Sequence, residues 1–329
     1  MRIGVVGLGA VGARAARQLA STAGMEGVVL FAPQLDRARE VAASLGPVAT
    51  IASSPPGAAE VDAVVLAGPA GEHADTARAL VAAGVAVVST SDSVGDVRAL
   101  LDLGPLAEAR STVVAVGAGF SPGLTCVLAR HGAALFDRVD EIHVAKSGTG
   151  GPACARQHHR ALGDVAIDWR DGGWQQRAGG SGRELCWFPD PVGPADCYRA
   201  SLPDAVLLTN ALPGVGRVTA RVAANRRDRL TAWLPMLRPP HPEGASGAVR
   251  VEIRGQRDGR SEVVVYGAMD RPAVAAGAVA ALVAVRAANR NLERTGAAGL
   301  AELVDPVSFL TDLAGRGVKA AVFDGRQAA

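Results

Sequence analysis

The run Gly7-Leu8-Gly9-Ala10-Val11-Gly12 follows a short apolar stretch at 3–6 and leads into Ala13-Arg14-Ala15-Ala16-Arg17-Gln18-Leu19, which has helical apolar spacing. A strand that enters G-x-G-x-x-G and opens a helix is built to hold a diphosphate. Gly7 permits the tight turn, Gly9 lets a phosphate approach bare backbone, and Gly12 lets the helix lie close to the strand. The helix start at Ala10 and Val11 offers N–H groups and a partial positive charge to the anion. All six residues are therefore read as contacts to a dinucleotide.

Other polar groups sit where such a ligand would pass. Gly68-Pro69 follows one apolar run, and Thr90-Ser91-Asp92-Ser93 follows the next. Ser91 could touch the coenzyme and Asp92 a substrate, or the group could cap the helix that follows, since Ser and Asp both satisfy free N–H groups there. The second strand-like run ends in Phe31-Ala32-Pro33-Gln34 with no acid to hold a ribose 2′-hydroxyl, while Arg37 and Arg39 are close enough to meet a 2′-phosphate. This places Ala32 and Arg37 at the adenosine ribose and favours NADP over NAD as coenzyme. Lysine is scarce: Lys146 and Lys319 are the only two among 34 basic residues. Arginine replaces it as surface charge but cannot give up a proton near neutrality, so a retained lysine marks a place where an amine is needed.

The elements that must carry these groups alternate. Strand-like runs at 3–6, 28–31, 63–66, 85–89 and 112–116 are separated by helical spacing at 11–23, 36–45, 72–83 and 94–109. The alternation predicts an α/β fold, a Rossmann-type doubly wound parallel sheet whose ligands bind at the carboxyl ends of the strands. After residue 118 the pattern changes. A Gly/Pro loop at 117–124 and a helix at 125–135 precede an alternating strand at 138–146 and strand-like pieces at 166–169, 185–188, 249–253 and 262–266. These predict a second α+β domain with an open, mostly antiparallel sheet. The stretches 171–183, 226–228 and 238–247 read as loops, and a helix over 273–288 resumes near the end. The expected division is residues 1–118, completed by helices within 272–329, and residues 119–271 as a substrate and dimerisation domain.

Bulk properties limit the function. A chain of 329 residues with a net charge of +2 and no basic tail suggests neither a nucleic-acid nor an anionic membrane partner. No apolar run is long enough to span a bilayer. The chain opens directly in a strand, so no signal peptide is expected and the cytoplasm is the expected compartment. Cys126, Cys154, Cys186 and Cys197 lack zinc-site spacing, and no metal is expected.

The order of glycine turn, Pro69 loop, Ser91-Asp92, Gly119-Phe120-Ser121-Pro122-Gly123-Leu124 and a second-domain sheet resembles the saccharopine dehydrogenase/reductase-like proteins over nearly the full length. Glu141-Ile142-His143 with Lys146-Ser147-Gly148-Thr149 is more distantly similar to a segment of dihydrodipicolinate reductase, shortened and without its doubled histidine and proline. The resemblance implies an NADP- or NAD-dependent oxidoreductase working on a C–N or C=N bond of a small amino-acid-derived molecule, as a homodimer. It implies Lys146 as proton donor or as the cation facing a substrate carboxylate, with His158 or His159 in reserve. Ser147, Thr149, Gly150, Gly119 and Phe120 would line the substrate, and Asp92 suits its ammonium. Two alternatives stay open: a semialdehyde or hydroxy-acid dehydrogenase acting on a carbonyl, and a nucleotide-binding regulatory protein without turnover.

Overall fold

A computed structural model describes residues 1–57, 59–236, 239–318 and 320–323. Lys319 and Arg238 lie outside the described residues. The chain begins with β1 (Arg2–Val6), α1 (Ala10–Ala20), β2 (Gly27–Phe31), α2 (Leu35–Leu45), β3 (Ala49–Ile51), β4 (Ala63–Leu66), α3 (His73–Ala82), β5 (Ala86–Ser89), α4 (Val94–Leu101), α5 (Gly104–Ala109) and β6 (Val113–Val116). The apolar repeat of α1 explains its seating, since Gly12, Ala15, Ala16 and Leu19 are buried along one face. The single helix expected at 94–109 is two. Pro105 lacks an N–H and disfavours helical backbone before it, so it starts the second helix instead of continuing the first.

Next come α6 (Leu124–Ala133), β7 (Arg138–Ser147), α7 (Pro152–Gly163), β8 (Val165–Arg170), β9 (Gly173–Ala178), β10 (Glu184–Trp187), β11 (Pro194–Arg199), α8 (Asp204–Ala211), β12 (Arg217–Ala223), α9 (Arg226–Leu230), β13 (Gly247–Arg257) and β14 (Arg260–Asp270). The end of the chain adds α10 (Pro272–Ala288), β15 (Gly296–Gly299), α11 (Leu300–Leu303), α12 (Pro306–Gly315) and β16 (Ala320–Phe323).

Contacts divide the chain into two units, Met1–Gly123 with Ala273–Val304, and Leu124–Pro272 with the chain from Asp305 onward. In the first, seven strands run in the order β15-β6-β5-β4-β1-β2-β3, every pair parallel. The order turns back between β1 and β4, which puts a ligand crevice at the carboxyl end of β1. Helix α10 returns to this unit and lies on α1. A Cβ on Gly277 would stand 2.6 Å from Arg14 Cβ and 2.8 Å from Ala15 N, so only glycine allows that approach. The return stops at Val304, short of the expected 329, because α12 packs on α6 and β16 pairs with β14.

The second unit holds a nine-stranded mixed sheet. Its main path is β10-β11-β12-β7-β13-β14-β16, with β8 on β12 and β9 on β8. All pairs are antiparallel except β12 with β7. Helix α6 packs against β13 and β14, where Gly132 leaves room for Ile253 and Tyr266. Thr125 Oγ1 donates to buried Asp204 at 2.6 Å and ties α6 to α8. Two stretches expected as loops are ordered otherwise. Residues 171–183 contain β9, reached from β8 through an Asp171-Gly172 turn with positive φ at both positions. Residues 226–228 lie in α9, where Asn225 and Asp228 form a capping box.

Candidate functional site

The glycine turn leaves β1 with Gly7 at φ +89°, and a Cβ there would stand 2.5 Å from Gly68 N. A Cβ on Gly12 would stand 1.9 Å from Gly7 O. Both positions exclude any side chain for internal reasons. Gly9 differs: a Cβ there would meet nothing within 4 Å. It is the N-cap of α1, no side chain caps it, and no acid occupies the first turn. The start of α1 thus has open space at Gly9 and a partial positive charge unopposed by any first-turn acid, which fits a diphosphate. The Leu8 carbonyl accepts from Arg37 Nε at 2.9 Å, while Arg37 Nη1 pairs with Glu40 at 2.7 Å. Arg37 thus braces the turn with a guanidinium at its edge, and Arg39 is paired with Asp36 at 3.2 Å. Ala32 follows β2, which holds the turn through Gly7 N–H donating to Phe31 O at 2.9 Å.

The segments after β4 and β5 are joined by a buried polar network. His73 Nε2 lies 3.1 Å from Gly68 O, and a carbonyl only accepts, so that nitrogen carries the proton. His73 Nδ1 then accepts from Ser89 Oγ at 2.8 Å. Ser91 donates its hydroxyl to Asp96 at 2.7 Å, and Gly71 N–H donates to the same carboxylate oxygen at 2.6 Å. Ser91 therefore spends its hydroxyl inside the protein. Ser93 is the cap of α4, accepting from Asp96 N–H at 3.4 Å. Asp92 is half-buried in the same loop. His73 and Asp96 were not expected at the site, although a signal existed for the first: His73 stands four, seven and eight residues before Ala77, Leu80 and Val81, on the buried stripe of α3.

The loop at 117–123 folds on itself. Gly119 N–H donates to Pro122 O at 2.9 Å, and Gly123 at φ +126° leaves no space for a Cβ, which would stand 2.3 Å from Gly119 O. Ser121–Pro122 is a cis peptide. Phe120 is buried here.

In the second unit Lys146 lies near the end of β7, 6 % exposed, between Val222 of β12 and Val249 of β13. It is the only lysine among the described residues. His143 is three residues away, and strand alternation sends it to the opposite face, where it bonds Thr219 and Glu141, each at 2.8 Å. The loop after Lys146 is shaped by close backbone packing. A Cβ on Gly148 would stand 2.7 Å from Gly247 Cα, and one on Gly244 would stand 1.9 Å from Thr149 O. Ser147 ends β7, and Thr149 and Gly150 lie in this loop, which ends at Gly151, the N-cap of α7.

His158 and His159 follow on α7 and diverge, as adjacent helical residues must. His159 Nε2–H donates to Leu234 O at 2.8 Å. His158 bonds the Ala223 carbonyl, and its Nδ1 is enclosed without a hydrogen-bond partner. Burial first, and the nearby Lys146 charge second, lower its pKa to about 3. His158 is therefore neutral near pH 7 and has no spare proton to give, which corrects its reading as a reserve acid. Among the described residues no cluster of His, Cys, Asp and Glu could hold a metal.

Burial also holds His73 and His143 below the usual imidazole value of 6.5. An unfolded chain binds protons at these rings near pH 6.5 and the folded chain does not. Their contribution to stability is thus complete above 6.5 and is lost as pH falls, for His158 over the range from 6.5 to about 3. Each enclosed ring costs at most about 1.4 kcal/mol per pH unit in that window. The expected outcome is a melting temperature that falls steadily from pH 7 to pH 5 and falls less steeply in His158→Gln. A flat profile would contradict the neutral assignment.

Residues 1–118 match the family model described as an oxidoreductase family with an NAD-binding Rossmann fold. No curated protein matches the chain in sequence. Among solved structures, saccharopine dehydrogenase (L-Glu forming) from Saccharomyces cerevisiae is similar over 98% of this chain and 99% of its own, with a TM-score of 0.69 at 14% identity. DAP dehydrogenase of C. glutamicum, in complex with DAP, covers 96% and 98% with a TM-score of 0.50 at 18% identity. An engineered D-amino acid dehydrogenase bound to NADP+ covers 96% and 99% with a TM-score of 0.50 at 17% identity. At these identities the likeness is one of fold, over 96–98% of the chain.

Proposed function

We propose that this chain, an NAD(P)-dependent oxidoreductase whose amino-terminal domain is of the NAD-binding Rossmann kind, acts on the C–N bond of a small amino-acid-derived imine or amine, with NADP(H) as its preferred coenzyme. The reading rests on Lys146, which is buried, is the one lysine among the described residues and precedes a glycine-rich loop. The bound coenzyme supplies or accepts the hydride. Lys146 holds the proton that the substrate nitrogen gains on reduction or loses on oxidation. Ser147, Thr149 and the N–H groups of Gly148 and Gly150 hold the substrate carboxylate, as successive backbone N–H groups do in anion nests. His158 adds no second positive charge beside Lys146, because it is neutral. The names of the three similar structures, a saccharopine dehydrogenase (L-Glu forming), a DAP dehydrogenase and a D-amino acid dehydrogenase, support the same class of substrate.

The test is a screen of purified protein with NADPH against 2-oxo acids, with and without ammonia or a primary amine, following loss of NADPH absorbance. Oxidation that requires the amine supports the proposal. Oxidation with the oxo acid alone assigns a carbonyl substrate, and no oxidation with any pair overturns turnover on this class.

Coenzyme choice has its own test. Arg37 stands at the edge of the turn, and residues 32–34 after β2 include no acid. Arg37→Ala is expected to lower the preference for NADPH over NADH by about 10-fold or more, the scale of a charge-assisted hydrogen bond. Competition binding with the two coenzymes measures it. Equal losses for both would make Arg37 a brace only and would remove the case for NADP.

A further inference from the structure

Gly68-Pro69-Ala70-Gly71 emerges from β4 beside the diphosphate turn, and Gly68 N stands 2.5 Å from where a Cβ of Gly7 would be. This tetrapeptide is therefore a wall of the turn, and its two ends are pinned by different helices. His73, in the first turn of α3, donates to the Gly68 carbonyl at 3.1 Å. Asp96, in the first turn of α4, accepts from Gly71 N–H at 2.6 Å. The pins are not independent. Ser89 donates to His73 Nδ1 at 2.8 Å and accepts from Ser91 N–H at 3.3 Å, and Ser91 donates to Asp96 at 2.7 Å. The hydrogen bonds thus close a ring through His73, Ser89, Ser91, Asp96 and the tetrapeptide. All four side chains are at most 4 % exposed.

Apolar side chains at these positions would leave the Gly68 carbonyl and the Gly71 N–H without their partners, whereas the polar ring satisfies both and holds them in one geometry. We infer that His73 is a positioning residue for the nicotinamide half of the coenzyme: through Ser89, Ser91 and Asp96 it fixes the Gly68–Gly71 backbone as a rigid seat beside the diphosphate turn. The inference rests on the coenzyme reading above. It assigns His73 no contact with coenzyme or substrate. It also gives the tetrapeptide a division of labour, since its outer groups are pinned while Pro69, exposed between them, is left toward solvent.

The test compares two probes on the full-length protein: NADPH, and adenosine 2′,5′-bisphosphate, which carries only the adenosine half. His73→Phe keeps a buried ring and removes both hydrogen bonds. His73→Gln retains an amide donor for Gly68 O and an acceptor for Ser89. The expected result in calorimetry is a Kd for NADPH at least 10-fold weaker in His73→Phe and within about 3-fold of wild type in His73→Gln, on the scale of one or two lost hydrogen bonds. Affinity for adenosine 2′,5′-bisphosphate stays unchanged in both. If His73→Phe does not fold, Ser89→Ala opens the same ring with a smaller change and should weaken NADPH selectively. Unchanged NADPH affinity in the variants, or equal loss of both probes, overturns the positioning role. Wild-type protein that binds neither probe, nor NADH, removes the coenzyme reading itself, and this role with it, a result distinct from the other two.

Discussion

Lys146→Arg is expected to lower turnover by about 10²–10⁴-fold while NADPH affinity and the melting temperature stay near wild type. The range is that of a lost general acid–base group. Arginine keeps the positive charge but does not release its proton near neutrality, so the variant separates proton delivery from electrostatics. Lys146→Met, which removes both, should be no faster than Lys146→Arg. The measurement is kcat and KM on the amine-dependent reaction, with binding followed separately. If Lys146→Arg retains wild-type kcat, Lys146 acts only as a cation toward a carboxylate. Buried on a strand paired along both edges, this lysine has little reason to exist as surface charge.

Gly9→Asp should abolish coenzyme binding, at least 100-fold, without harming the fold. A Cβ at Gly9 meets nothing within 4 Å, and aspartate is a favoured N-cap whose charge suits a helix start. Thermal or denaturant unfolding should therefore shift by less than about 1 kcal/mol. The same carboxylate stands where the diphosphate must lie and repels it. Gly12→Ala is the contrast. Its Cβ would stand 1.9 Å from Gly7 O, so it should destabilise the first unit by about 1–3 kcal/mol and lose coenzyme binding through damage to the turn. Retained NADPH binding in folded Gly9→Asp would mean that the open space at Gly9 is not a phosphate seat.

The coenzyme domain was the part most legible from residues alone. β1, the glycine turn and α1 combine an apolar run, glycines at fixed offsets and a 3.6-residue apolar stripe, and all three signals agree. The second unit was harder. β12 is central in its sheet, flanked by β7, β11 and β8, yet Arg217, Thr219 and Arg221 on one of its faces hide the alternation that Val218, Ala220 and Val222 supply on the other. β9 is mostly exposed and polar and is defined by its turn and its partner, not by hydrophobicity. β3 and β15 are only three and four residues long. At the site, Lys146 stood out by scarcity. The His73 ring did not, because it joins residues scattered from 68 to 96 that become neighbours only when β4 and β5 lie side by side. Likewise nothing in the spacing of His158 and His159 told which would be enclosed beside Lys146 and which would turn to the Leu234 carbonyl.

Isothermal titration of the full-length protein with NADPH decides whether the amino-terminal turn seats a nicotinamide dinucleotide. Saturable binding at one site per chain is expected, displaced by adenosine 2′,5′-bisphosphate and lost in Gly9→Asp. Absence of binding by NADPH and NADH alike, or binding that survives the aspartate at full strength, would contradict such a seat.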